Sequence, residues 1–154
     1  MTYQGIVTYH LIEGILDCEN DTKQKLGQKF ARYLNLTPGP LGPDDGVDGS
    51  TTFAGKKIHF QSKLSRKELD VNEAKLYYSD IRYHKVDISI MLSGRGYKKT
   101  FHDRLNGYED IKKVKIHLLT LQDVIENSEA FLNACCDLPN LEMISSSLLT
   151  DTNI

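Results

Sequence analysis

A carboxylate, a side-chain amide and an ammonium group stand close together in the first half of the chain, at Asp48, Gln61 and Lys63. Carboxylate, carbonyl and water oxygens are the ligands that a hard dication such as Mg²⁺ prefers. An ammonium beside such an ion can orient or deprotonate a water and offset negative charge developing on a phosphate. Together these groups point to metal-assisted hydrolysis of a phosphodiester, provided that local structure brings them to one place.

The intervening residues read as a hairpin. Residues 47–53 place β-branched and aromatic side chains around Thr51 and Thr52, and Ala54-Gly55 supplies the small residues of a tight turn. Residues 56–64 alternate Lys57, His59, Gln61 and Lys63 with Ile58, Phe60 and Leu64. Period two assigns Ile58, Phe60 and Leu64 to the buried face and makes His59 a solvated strand residue. With Ala54 and Gly55 as the loop, Phe53 pairs with Lys56, and counting outward sets Asp48 opposite Gln61. Opposed residues share a face, and Lys63, two positions on, shares it too. A longer loop sets Asp48 opposite Lys63 and keeps the three together. A plainer reading also fits: Asp44, Asp45 and Asp48 among glycines suit a turn-rich loop, and Gln61 and Lys63 suit a solvated strand face.

Asp48, twelve residues, then Gln61-Ser62-Lys63 resembles the PD-(D/E)xK nuclease signature in its Q-x-K variant. The run from Asp45 to Gly49 followed by Phe60-Gln61-Ser62-Lys63 is similar to the catalytic domain of Mrr-like restriction endonucleases. The resemblance implies an α/β fold with a restriction-endonuclease-like core, a central mixed sheet with a β-hairpin flanked by helices, over about residues 21–136. It implies a Mg²⁺-dependent DNA endonuclease in which Mn²⁺ can substitute. Asp48 would be a direct metal ligand, Gln61 would add a carbonyl oxygen, and Lys63 would position the attacking water and stabilise the transition state. The family's first helix carries a glutamate in a G-x-x-F-E pattern, whereas Gly27-Gln28-Lys29-Phe30 is followed here by Ala31. Gln28 is the possible replacement, and Asp45 the reserve carboxylate. Such nucleases include restriction enzymes, intron-borne homing endonucleases, junction resolvases and repair enzymes. One site cuts one strand, so cutting double-stranded DNA through both strands calls for a homodimer or higher homo-oligomer. Two alternatives stay open: a non-catalytic nucleic-acid-binding module of the same fold, and a nuclease directed at RNA.

Composition narrows the context. A chain of 154 residues, 40% hydrophobic and 26% charged, suits one soluble domain with a single core. Three cysteines, two of them adjacent at Cys135-Cys136, match neither a zinc spacing nor a disulfide framework, so a reducing cytoplasm is the expected compartment. No apolar run reaches membrane-spanning length, and the N-terminus lacks the basic start of a signal peptide. A net charge of −2 gives no global electrostatic footprint for nucleic acid. Contact with DNA then falls to local cations, with Lys57, Arg66, Lys67, Arg95 and Lys98 as the expected ones.

The remaining pattern supplies the frame. Residues 1–18 read as an amphipathic helix added ahead of the core, and residues 21–36 as a second helix with Leu26, Phe30, Tyr33 and Leu34 on its apolar face. Residues 37–43, with three of the four prolines, form a breaker-rich loop. Ser65 starts a helical pattern reaching about residue 82, with Val71, Ala74, Tyr78 and Ile81 on one face. Tyr77, Tyr78 and Tyr83 near Arg82 and His84 could contact nucleic acid, although tyrosines at helical spacing are more often the rim of a core. Residues 86–92 read as a strand. The turn Ser93-Gly94-Arg95-Gly96 leads to a helix over 97–105 whose start, with Arg95, Lys98 and Lys99, can receive a phosphate. Residues 114–119 form another strand, and Thr120 caps a helix running to about residue 136. An irregular tail follows from residue 137. Strands alternating with helices after the hairpin argue for a mixed sheet flanked by helices.

Overall fold

Ala54 and Gly55 take φ of 53° and 76°, the pair of positive values that a two-residue hairpin turn of type I′ demands. The computed structural model describes residues 2–39 and 47–139. This turn joins β2 (Gly49–Phe53) to β3 (Lys56–Lys63), with Phe53 paired to Lys56 as the spacing predicts. The start of the breaker loop adds a two-residue strand, β1 (Thr37–Pro38), along the outer edge of β2.

Five strands form one mixed sheet in the order β1-β2-β3-β4-β5, where β4 is Ile88–Ser93 and β5 is Lys115–Thr120. The pairs β1–β2 and β2–β3 are antiparallel, and β3, β4 and β5 run parallel. Parallel neighbours need crossovers. Helix α3 (Val71–His84) links β3 to β4, and α4 (Lys99–Asn106) with a short 3₁₀ turn (Glu109–Lys113) links β4 to β5. Both crossovers pack on one face of the sheet, through Ala74, Tyr77, Ile81, Phe101 and Leu105. The opposite face carries α1 (Tyr3–Leu16), α2 (Asn20–Tyr33), α5 (Leu121–Glu126) and α6 (Glu129–Cys135), with Leu16, Ala31, Leu121 and Phe131 in the core.

Coverage on both faces overrides the alternation in the sequence. Every residue of β4 is buried, as expected of a central parallel strand. His59 is buried rather than solvated, with none of its surface exposed. Its Nε2 lies 2.8 Å from Ser89 Oγ, which also hydrogen-bonds the buried Tyr77 hydroxyl. Burial pulls the His59 pKa down to about 4, helped by His84 and Lys57, and pushes the Tyr77 hydroxyl up.

Several element boundaries also move. The α2 core face is Gly27 and Ala31, followed by Leu34, while Tyr33 is exposed. Asp70, not Ser65, caps α3, its carboxylate accepting from the N–H groups of Asn72 and Glu73. Thr120 does cap a helix, in a reciprocal box with Asp123. That helix breaks at Asn127, where φ is 50°, and Ser128 caps α6 afresh. Among the described residues no helix is long and apolar enough to cross a membrane.

Candidate functional site

The parallel strands end together at Lys63, Ser93 and Thr120. Crevices outside the carboxyl ends of parallel strands are the usual ligand sites of open α/β sheets. A pocket of about 410 Å³ opens there beside β3, lined by Asp48, Gln61, Ser62, Lys63 and Ser65, with Asn20, Lys23 and Gln24 from α2. Asp48, Gln61 and Lys63 thus meet at one pocket, but they reach it from different sides of the sheet.

The hairpin explains the split. The register pairs Gly49 with Phe60, yet the Asp48 N–H also donates to the Phe60 carbonyl at 2.8 Å. Two residues facing one is the count of a β-bulge, which re-aims the side chain at the bulge. Asp48 is therefore not held over Gln61. Its Oδ2 accepts from the Ser62 N–H at 2.6 Å and the Ser62 hydroxyl at 3.2 Å. The carboxylate sits against α2 at Gly27, where an added Cβ would lie 2.7 Å from Ser62 Oγ and 3.4 Å from Asp48 Cγ. Absence of a side chain at Gly27 is what lets the helix approach this pair.

Gln61 and Lys63 turn to the α3 side. Gln61 Nε2 donates to Asp80 Oδ2 at 3.0 Å, while Gln61 Oε1 is buried with no hydrogen-bond partner among the described residues. Lys63 Nζ lies 3.8 Å from Glu73 Oε2, both side chains partly exposed. Glu73 and Asp80 were not legible as neighbours of the site, because only the crossover of α3 brings them to β3. Asn20, Lys23 and Gln24 were missed for a related reason: the helix face presented to the pocket depends on how α2 sits on the sheet.

Gln28 stands elsewhere. Its Nε2 donates to the Gly39 carbonyl at 2.8 Å, tying α2 to the chain leaving β1, and Gln24, one turn earlier, lines the pocket instead. Asp45 lies outside the described residues. Among the described residues no group of three or more His, Cys, Asp and Glu side chains is placed to share a metal ion.

The expected cations divide into groups. Lys57 is at the far end of β3, its Nζ donating to the His84 carbonyl at 2.6 Å. Lys67 and Lys98 are exposed. Arg66 and Arg95 both engage Glu13 of α1, and Arg66 also pairs with Asp17. Of the tyrosines, Tyr77 is buried, Tyr78 stacks on Tyr108 and donates to Asp110, and Tyr83 is exposed.

No protein-family model, no curated protein and no solved structure matches this chain.

Proposed function

We propose that the chain is a metal-dependent nuclease of the PD-(D/E)xK type that hydrolyses DNA phosphodiester bonds. The observation that carries this reading is the pocket that Asp48, Gln61 and Lys63 line at the carboxyl end of β3. The helix, hairpin, helix, strand order from α2 to β4 supports the restriction-endonuclease-like core that the resemblance implies.

The donor types suit a hard dication. Gln61 Oε1 is a buried carbonyl oxygen without a partner among the described residues, and Asp48 supplies a carboxylate. These two residues would hold Mg²⁺ or Mn²⁺ only with the Gln61 side chain released from Asp80 and turned toward Asp48, water and substrate oxygens being further ligands. A dication bound there supplies Lewis-acid polarisation of the phosphate. Lys63 binds the phosphate, orients the attacking water and offsets charge that develops in the transition state. Ser62 fixes the Asp48 carboxylate with two hydrogen bonds. Double-strand cutting by such a domain requires a second copy, so the active form on duplex DNA is a homo-oligomer.

A second reading has its own observation. Asp48 is the one carboxylate among the described residues lining the pocket, and Gln61 and Lys63 each face an acidic residue of α3. A binding module of the same fold without a working metal site would have this character.

Cleavage of supercoiled plasmid with Mg²⁺, Mn²⁺ or EDTA separates the two, run with Asp48→Ala, Lys63→Ala and a parallel RNA substrate. Metal-dependent cutting of DNA lost in both variants is the expected result. Calorimetry showing duplex binding with no Mg²⁺ or Mn²⁺ binding would favour the non-catalytic module.

A further inference from the structure

We infer that Arg66 and Arg95 form a two-pronged phosphate site beside the candidate catalytic pocket, and that Glu13 of α1 occupies this site until nucleic acid displaces it. The inference rests on the nuclease reading for the identity of the phosphate, which is a phosphodiester of DNA.

The two arginines arrive from different places. Arg66 follows the end of β3 and Arg95 follows the end of β4, neighbouring parallel strands. Both reach one carboxylate, and they share it oxygen by oxygen. Arg66 Nη1 meets Glu13 Oε2 at 3.2 Å, and Arg95 Nη2 meets Glu13 Oε1, while the other Arg66 nitrogen, Nη2, pairs with Asp17 just past α1. A phosphodiester presents the same pattern, two unbridged oxygens carrying one negative charge, and guanidinium groups are the side chains best matched to it.

Glu13 is held firmly enough to be ionised and loosely enough to leave. Hydrogen bonds from Arg95 and then Arg66 keep its carboxyl below the usual range. All three side chains are partly exposed, at 25% for Glu13, 46% for Arg66 and 37% for Arg95, and exposed ion pairs contribute little net stability. At the two guanidiniums one monoanionic pair of oxygens takes the place of another, the displaced Glu13 carboxylate turns to solvent on α1, and binding to DNA also releases counterions. The helix carrying Glu13 is seated through its second half: it buries Thr8 and Leu16 and packs Ile12 and Ile15 on the core, while Tyr3, Ile6, Val7, Tyr9 and Leu11 are exposed.

The site adjoins the candidate pocket, separated from it by the packing of Gly94 on Ser65. Glu13, Arg95 and Gly94 line a cavity of about 580 Å³ over the ends of β4 and β5, together with the carboxylates of Glu68 and Glu126, while Arg66 lies outside its lining. Gly94 abuts Ser65, whose carbonyl oxygen would lie 2.6 Å from an added Cβ, and Ser65 lines the Asp48–Lys63 pocket. A strand of nucleic acid crossing the carboxyl edge of the sheet meets both.

Fluorescence anisotropy with a mixed-sequence DNA duplex in EDTA tests this without requiring cleavage. The comparison is parent, Glu13→Gln, and Glu13→Gln combined with Arg66→Gln and Arg95→Gln, with Glu129→Gln, at an exposed position of α6, as a control for net charge. Glu13→Gln is expected to tighten binding at least fivefold, inorganic phosphate to compete, and the arginine changes to cancel the gain. Should a glutamine form of either arginine fail to fold, the lysine form replaces it and is expected to cancel part of the gain. Binding no tighter in Glu13→Gln overturns the inference, as does no duplex binding by any form. A gain that survives loss of both arginines, or an equal gain in Glu129→Gln, overturns it too. The nuclease reading fails separately: metal-dependent cutting absent while Glu13→Gln tightens binding leaves the phosphate site standing alone. Cutting that depends on Asp48, with no gain in Glu13→Gln, leaves the nuclease without it.

Discussion

Asp48 Oδ2 takes the backbone N–H of Ser62 at 2.6 Å, so a side chain rather than a carbonyl closes the hairpin beyond its last paired residue. Asp48 thereby has a structural task besides the chemical one proposed for it. Removing an acceptor and leaving a half-buried N–H unsatisfied costs roughly 1–3 kcal/mol. Asp48→Ala is expected to lose about that much stability in urea denaturation, and Asp48→Asn, which keeps an acceptor oxygen, distinctly less. Both are expected to lose metal-dependent cutting. An Asp48→Ala protein as stable as the parent would remove the structural task.

Gly94 lies where the two pockets adjoin. An added Cβ there would stand 2.6 Å from the Ser65 carbonyl oxygen and 2.7 Å from Leu16 Cδ2. Backbone cannot swing aside as a side chain can, so Ser65 must move and Leu16 of α1 must repack. Gly94→Ala is expected to destabilise the fold by roughly 1–3 kcal/mol, the usual cost of overpacking. The midpoint of urea denaturation checks this, and an unchanged midpoint would mean that the end of β4 gives way easily.

His59 sets a pH dependence. Burial holds its folded pKa at about 4, below the ordinary 6.5. Between these values the unfolded chain binds the extra proton and the folded chain does not, so stability falls as pH drops through that window. The full loss is roughly 3 kcal/mol at 1.36 kcal/mol per pKa unit, and it begins above the range where carboxylates titrate. Denaturation midpoints at pH 7.5, 6 and 5 are expected to decline steadily in the parent. In His59→Phe the decline over the same interval should be much shallower. An equal decline in both would assign the effect to other groups.

How much of this was legible follows the range of the interactions involved. Local rules sufficed for the Ala54-Gly55 turn, the Phe53–Lys56 pairing, the Thr120 cap and the mixed sheet flanked by helices. They failed where the third dimension decides. His59 reads as solvated because one strand shows only its own alternation, whereas α3 covers that face and buries it. Asp48 counts as opposite Gln61 until a bulge inserts itself; Gly49 is the one local signal of it, and among neighbouring Asp and Gly residues it reads equally as part of a turn-rich loop. Gln28 is spent on the Gly39 carbonyl, a contact fixed by where β1 delivers Gly39. Asp80 and Glu73 reach the end of β3 only through the crossover.

Glu73 yields the most direct test of how the proposed chemistry is controlled. Its Oε2 lies 3.8 Å from Lys63 Nζ, linking the end of β3 to the first turn of α3. Both side chains are partly exposed, so the pair contributes on the order of 0–1 kcal/mol. Its larger effect is on direction, since it draws the ammonium toward α3 and away from Asp48, which faces α2. Glu73→Gln removes the draw and leaves the lysine intact. Thermal stability is expected to change little, while metal-dependent plasmid cutting rises several-fold. Adding Lys63→Ala should abolish cutting whether or not Glu73 is present. A Glu73→Gln protein that cuts more slowly than the parent would show instead that the glutamate holds Lys63 in its working position, and the carboxylate would then belong to the site itself.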